Sequence, residues 1–351
     1  MYWNTSYSEP VVDKDKELTL HELASEVHIV GVGSYFNGNI LIGPIADSMR
    51  EKPYSLNVQT IHNKNAEYTT KHATAKGYYN LTGVPGEFMA MLALFFHTRF
   101  YHIATVNGLF SSSSIIGRTK KRLVRYSPPA DLVSRVFEEN DARNYKDFEG
   151  FLDKIHSIPE KYHRPIVMAG TNYNFGLQQM GVDNEMAYVR FISAIEIFSS
   201  SIKLTQGDDA LYGVGIDKLT LGMRTEAASE IQIALQTRKS LLKFIRFLEK
   251  YSEGFFDDAS THWGKVKSGQ LHDIAKAVYT ARSKYLHEAE SMFISEMFGD
   301  KNVELDSALG LYVGRRKFDA KSKLPTISFF ERLTSFCLLK KIDELYHATK
   351  N

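Results

Sequence analysis

Before about residue 85 the apolar positions alternate as strand residues do, whereas from about residue 183 they recur at the three- and four-residue steps of a helix. Val27–Val32 and Asn39–Ile42 flank Gly33-Ser34-Tyr35-Phe36-Asn37-Gly38, whose composition predicts a hairpin turn. Tyr54–Ile61 and Glu67–His72 read as further strands. Met1–Glu26 is polar, carries acidic residues and lacks the cationic-then-apolar order of a signal peptide. Gly86–Tyr101 is rich in good helix formers and predicts a buried helix. Residues 111 to 130 read as a loop, Ala130–Glu139 and Tyr145–His156 as short helices. Pro159 and Pro165 make 158 to 180 the candidate linker.

The second half predicts four amphipathic helices. Asp183-Asn184 can cap the first, with Val189, Ile192 and Ile195 on one face. The second runs from about Thr225 to Tyr251 with Ile231, Leu235, Leu242, Ile245 and Leu248 on its stripe, and Gly254 stops it. The third spans about Ser268–Glu290 with Leu271, Ile274, Ala275, Val278, Ala281 and Tyr285 inward. The last follows Pro325 and uses Phe329, Leu333, Phe336, Cys337 and Leu345. Helices of this length and patterning pack as a bundle. The expected fold class is α+β: a β-containing N-terminal region (1–165) of unassigned role, then an all-α bundle (180–351).

Composition narrows the function classes. A length of 351 residues with 43% hydrophobic and 24% charged positions suits two packed domains. Net charge is only +2, so any nucleic-acid affinity must reside in local basic patches. Arg118, Lys120, Lys121 and Arg122, with Arg125 and Tyr126 after them, form one such patch. Arg315, Arg316 and Lys317, near Lys321 and Lys323, form another. A solvated loop is the ordinary reading of each. The single cysteine, Cys337, excludes an internal disulfide or a Cys-based zinc site, and fits a reducing, cytoplasmic setting. The longest apolar cluster, Phe88–Phe96, is far short of the ~20 residues a membrane span needs. Gly31-Val32-Gly33 lacks the following helix of a dinucleotide fingerprint, no phosphate loop occurs, and His97, His102, His156, His163 and His272 are scattered. No metal site and no cofactor are expected.

The third helix carries the sharpest chemistry, in Tyr279, Arg282, Ser283 and His287. At ~100° per residue, Arg282 lies ~40° from Val278 and ~60° from Tyr285, on or beside the apolar stripe. A guanidinium there needs a carboxylate, a phosphate or a partner subunit. His287 lies ~140° further round, so one helix does not aim both groups at one phosphate. A looser helix end or a second copy of the chain could bring them together. Ser283 stands four residues before His287, within reach of orienting the imidazole.

The pattern Tyr-x-x-Arg-Ser-x-x-x-His, with its Arg-x4-His core, resembles the ApeA-like branch of the HEPN superfamily over roughly residues 180 to 350. The resemblance implies a HEPN-like helical bundle and metal-independent RNA cleavage at a composite site between two copies. His287 would act as general acid or base, Arg282 would hold the scissile phosphate, and Tyr279 and Ser283 would support them. Glu196, at the border of the first bundle helix, resembles the polar first-helix position of many HEPN domains and could hold Arg282 or His287. The implied partners are RNA (tRNA among the candidates), a second copy and a regulatory protein, and the implied role is phage defence or toxin-like growth arrest. One departure is that Glu288-Ala289-Glu290 follow His287, where ApeA-like motifs commonly have Gly directly after the His. Those carboxylates favour the imidazolium and repel RNA. Two other readings stay open: a non-catalytic HEPN module binding RNA or a protein, and a plain bundle in which Arg282 closes an internal salt bridge while His287 is solvated.

Overall fold

The fold is that of a computed structural model, which describes residues 16–25, 29–35, 40–44, 54–63, 84–107, 143–205, 208, 223, 225–256, 266–292, 312–313, 316–317 and 324–349. It combines an N-terminal antiparallel sheet with a helical remainder, the α+β arrangement the patterning predicts. The chain divides into two compact units, residues 1–190 with 342–351, and residues 191–341. These limits differ from the 1–165 and 180–351 read from composition, because the divisions fall inside helices rather than at prolines.

In the first unit, strands β1 (Lys16–Ser25), β2 (Ile29–Val30), β3 (Gly33–Tyr35), β4 (Ile40–Pro44) and β5 (Tyr54–Asn63) precede helix α1 (Val84–Phe96) and strand β6 (Phe100–Asn107). The five-stranded order is β3-β4-β5-β1-β6. The polar N-terminal segment, given no element by its sequence pattern, supplies β1, which lies between β5 and β6. It pairs with β5 in unbroken register, while against β6 the register slips between Glu22 and Leu23, where Ile103 of β6 is the extra, bulged residue. Cross-strand partners Ile40 and Thr60, Ile42 and Val58, and Leu23 and Leu56 are all buried. The expected hairpin forms between Gly33–Tyr35 and Ile40–Pro44, so residues 33–35 are strand rather than turn. Ile29–Val30 instead pairs in parallel with β7 (Arg143–Asn144).

Helix α1 ends at Phe96, and Phe100 and Tyr101 belong to β6. Helix α2 (Tyr145–Ser157) starts at Asn144, whose side chain accepts from the Lys146 backbone N–H. Phe95, Phe96, Tyr145, Phe148 and Phe151 make a tilted and edge-on aromatic cluster joined by Tyr35.

The expected linker 158–180 is instead largely helix α3 (His163–Gln179). Pro165 sits in the first turn, where a missing N–H costs nothing, so it starts rather than interrupts the helix. Gly170 allows α3 to meet α1 closely, since a Cβ there would come 2.8 Å from the Ala90 carbonyl oxygen. Asn174 fixes α3 to β6 by accepting from Phe100 N (2.9 Å) and donating to Phe100 O (3.1 Å).

Helix α4 (Asn184–Ser199) is capped by Asp183, whose carboxylate accepts from Met186 N at 2.9 Å. The second unit holds the end of α4, helix α5 (Thr225–Tyr251), helix α6 (Leu271–Glu288), a two-stranded ribbon of β8 (Tyr312–Val313) and β9 (Arg316–Lys317), and most of α7 (Ile327–His347). Its core comprises Phe191, Ile192, Ile195 and Phe198 from α4, and Phe244, Phe247 and Leu248 from α5. Leu271, Ala275 and Val278 of α6 and Phe329, Leu333, Cys337 and Leu338 of α7 complete it. The Phe198 and Phe247 rings stack at 6.4 Å. Burial pushes the Cys337 thiol well above its usual range, as expected of an inert packing group. Of the α5 stripe, only Ile245 and Leu248 are buried; Ile231, Leu235 and Leu242 remain half-exposed.

The basic residues Arg118, Lys120, Lys121, Arg122, Arg125 and Arg315 lie outside the described residues, as do the expected strand 67–72, the loop 111–130 and the helix 130–139. Arg316 and Lys317 form β9.

Candidate functional site

The Tyr279 to His287 pattern occupies the last two and a half turns of α6. Leu271, Ile274, Ala275 and Val278 bury one face of that helix, which fixes the direction of its neighbours. Arg282 is placed beside this stripe and is only 21% exposed. Its Nη2 lies 3.1 Å from Oε2 of Glu196 on α4, whose side chain is 26% exposed. Glu196 reaches this point because Ile192 and Ile195, one turn and one residue before it, are fully buried and set the rotation of α4.

The carboxylate has a second donor. Tyr279 donates its phenolic hydrogen to Glu196 and accepts from the Ser240 hydroxyl of α5. Burial first, then the negative Glu196, raises the Tyr279 pKa, so the phenol remains a donor at neutral pH. Three helices therefore contribute to one chain of contacts, Ser240 to Tyr279 to Glu196 to Arg282. The charged pair within it is neutral overall. Arg282 Nε is buried with no hydrogen-bond partner, which marks the guanidinium as incompletely satisfied.

His287 is in the last turn of α6 and exposed. It shares no hydrogen bond with Ser283 among the described residues. The helix ends two residues later at Ala289, which adopts a left-handed conformation (φ 53°) and whose backbone N–H donates to Lys284 O. Glu290 does not face His287 as an isolated carboxylate, because it pairs with Lys284 at 2.9 Å. The structure thus joins Arg282, Glu196 and Tyr279, and leaves Ser283 and His287 outside that contact network. Ser240 is the residue the sequence pattern misses. It is 39 positions from Tyr279 on another helix, and no spacing within one helix signals it.

Other polar groupings qualify the scattered-histidine reading. The bulge in β6 puts His102 and Thr105 on the face of His21, and both imidazoles lie 2.9 Å from the Thr105 hydroxyl. His272 lies 2.9 Å from Glu249, which also holds Arg246 at 2.6 Å. Among the described residues, no group of three or more His, Cys, Asp or Glu side chains could hold a metal ion, and no helix is long and apolar enough to cross a membrane.

This geometry can fix the plane of a guanidinium at a partly open edge, with an imidazole exposed on the same helix. Chemically, it can orient an anion-binding group. No protein-family model, curated protein or solved structure matches the chain.

Proposed function

We propose that this chain is a metal-independent endoribonuclease of HEPN type, acting as a pair of copies in defence or growth arrest. The observation that carries the reading is the Arg282–Glu196 pair at 3.1 Å, braced by Tyr279, with His287 exposed on the same helix. A guanidinium held by a carboxylate is preorganised to meet a phosphate without losing its own orientation. In the reaction, a ribose 2′-OH attacks the adjacent phosphorus and the bond to the 5′-oxygen breaks. One histidine takes the 2′-OH proton and another protonates the departing oxygen. The products are a 2′,3′-cyclic phosphate and a 5′-OH end. Because Arg282 and His287 lie ~140° apart around their helix, the second copy completes the site.

A second reading has its own support. Glu196 already meets the Arg282 charge, and His287 stands outside that contact, which suits a non-catalytic HEPN-type module that binds RNA or a protein partner. One assay separates the two. Total RNA incubated with the purified chain in EDTA is expected to yield cyclic phosphate ends, lost in both Arg282→Ala and His287→Ala. Binding that persists without cleavage selects the second reading, and neither binding nor cleavage overturns the first.

A further inference from the structure

A net charge of +2 leaves any nucleic-acid affinity to local patches. One such patch is invisible in the linear sequence and is assembled by packing, where the end of α5 meets α7. On α7, Phe329, Arg332, Phe336 and Lys340 follow one another at steps of three and four, so ring and cation alternate along one face. The Arg332 guanidinium carbon lies 6.0 Å from the centre of the Phe329 ring, and Lys340 Nζ 5.4 Å from that of Phe336. Phe255, just past α5, meets Phe336 edge-on at 5.3 Å and Phe329 at 5.7 Å, with Phe256 beside it at 5.1 Å. Phe329 is buried, whereas Phe255, Phe256 and Phe336 are half-exposed.

More positive charge gathers beside these rings. Nζ of Lys250 lies 4.8 Å and Nζ of Lys341 5.3 Å from the centre of one ring, that of Tyr251. The helix dipole favours Lys250 in the last turn of α5, but Lys340 and Lys341 stand mid-helix, where it favours neither sign. Of the carboxylates in 249–256 and 329–341, Glu249 is taken up by Arg246 and His272, Glu331 is fully buried, and Glu253 is exposed. Bringing like charges together costs free energy that a bound anion returns. We propose that this face binds single-stranded RNA, with bases laid against Phe336 and Phe255 and phosphates met by Lys250, Lys340 and Arg332. Half-exposed rings offer every base a stacking partner, and the cations follow the backbone. A duplex keeps its bases inside, and an acidic protein segment brings charge but no base to stack. The inference rests on the reading above for the choice of RNA. It does not depend on cleavage, because these residues lie outside the Arg282, Glu196 and Tyr279 contacts.

The test is fluorescence anisotropy of the full chain with a 2′-O-methyl single strand of mixed sequence, which lacks the nucleophile for cleavage. The wild type is expected to bind it more tightly than a duplex of the same length and chemistry. Lys250→Gln with Lys340→Gln should flatten the salt dependence of log K by about 0.7 per lysine removed. Phe336→Leu, which keeps apolar volume, should weaken binding about tenfold, near the low end for one lost stack, with circular dichroism unchanged. The lysine variant, made at exposed positions, keeps the test sharp should Phe336→Leu fail to fold. No binding by the wild type, a duplex bound as tightly, polyglutamate competing as well as RNA charge for charge, or affinity unmoved in both variants overturns the proposal. Binding that responds to these variants without cleavage of ordinary RNA condemns only the nuclease reading. Cleavage alongside affinity unmoved in the variants condemns only this one.

Discussion

Tyr35, Tyr145, His156 and His163 in the sheet-bearing unit and Glu196, Arg282, Arg246 and Glu249 in the helical unit meet burial in opposite ways. In the first unit, these four groups lie inside and are kept neutral. Burial raises both tyrosines far above their ordinary range and lowers both histidines, His156 to about 3. Tyr35 donates to the Tyr145 carbonyl oxygen at 3.1 Å, and His163 lies 2.8 Å from Ile158 O. In the second unit, charges are retained and paired in the outer layer, as in Arg282 with Glu196, and Arg246 with Glu249. The difference teaches where function is to be sought. Neutral interior groups hold a fold together, whereas a charge kept beside an apolar stripe needs an opposite charge, as Arg282 has in Glu196.

The largest expected effect attacks both cores alike. Phe148→Ala in the first unit and Phe247→Ala in the second should each cost about 3–5 kcal/mol, read from urea midpoints, since both rings are fully buried among other aromatics. Losses below about 1 kcal/mol in either unit would show that its core is not packed as described.

Next is acid, which should strain the first unit selectively. An unfolded histidine takes its proton near ~6.5, folded His156 only at about 3. Between these values the unfolded chain binds more protons, so stability falls as pH falls, by at most ~1.4 kcal/mol per pH unit per histidine. His163, also lowered by burial, adds in the same direction. Urea midpoints between pH 7 and pH 4 should drop less steeply in His156→Gln. An unchanged slope in that variant rules out a neutral buried His156.

A smaller effect probes the paired charges. Arg282→Ala leaves Glu196 facing Tyr279 alone and should destabilise by about 1–2 kcal/mol, since a hydrogen bond to a charged group is lost. His287→Ala, at an exposed position, should stay within about 0.5 kcal/mol. Equal costs for the two substitutions would erase the contrast between them.

The smallest effect is stabilising. Ala289 holds a left-handed conformation that glycine adopts without penalty, so Ala289→Gly should raise stability by about 0.5–1 kcal/mol in thermal melts. A drop in melting temperature would contradict the helix end described at that residue.

The long helices were legible because local information is enough for them. Thr225–Tyr251 shows its bounds through a sustained stripe and Gly254, which takes a positive φ beyond the helix end. The cap at Asp183 and the inward face of α6 follow from residues within one or two turns. The prolines were misleading, because Pro165 reads as a breaker unless its place in the first turn of α3 is known. Strand β1 was hidden because His21, Glu22 and Ser25 are polar yet buried between β5 and β6, and only those partners decide that burial.

The same division runs through the candidate site. By sequence alone, Tyr279 and Arg282 share one edge of a helix, a guanidinium stands beside an apolar stripe, and His287 lies well round from it. Spacing along a single chain segment determines all of that. Which group answers the guanidinium is decided only by packing, because Glu196 and Ser240 come from helices whose rotations are set by Ile192, Ile195 and Phe244 in a shared core. Helical period is a local property of the backbone, but the meeting of side chains from three helices depends on long-range burial, which no local pattern encodes.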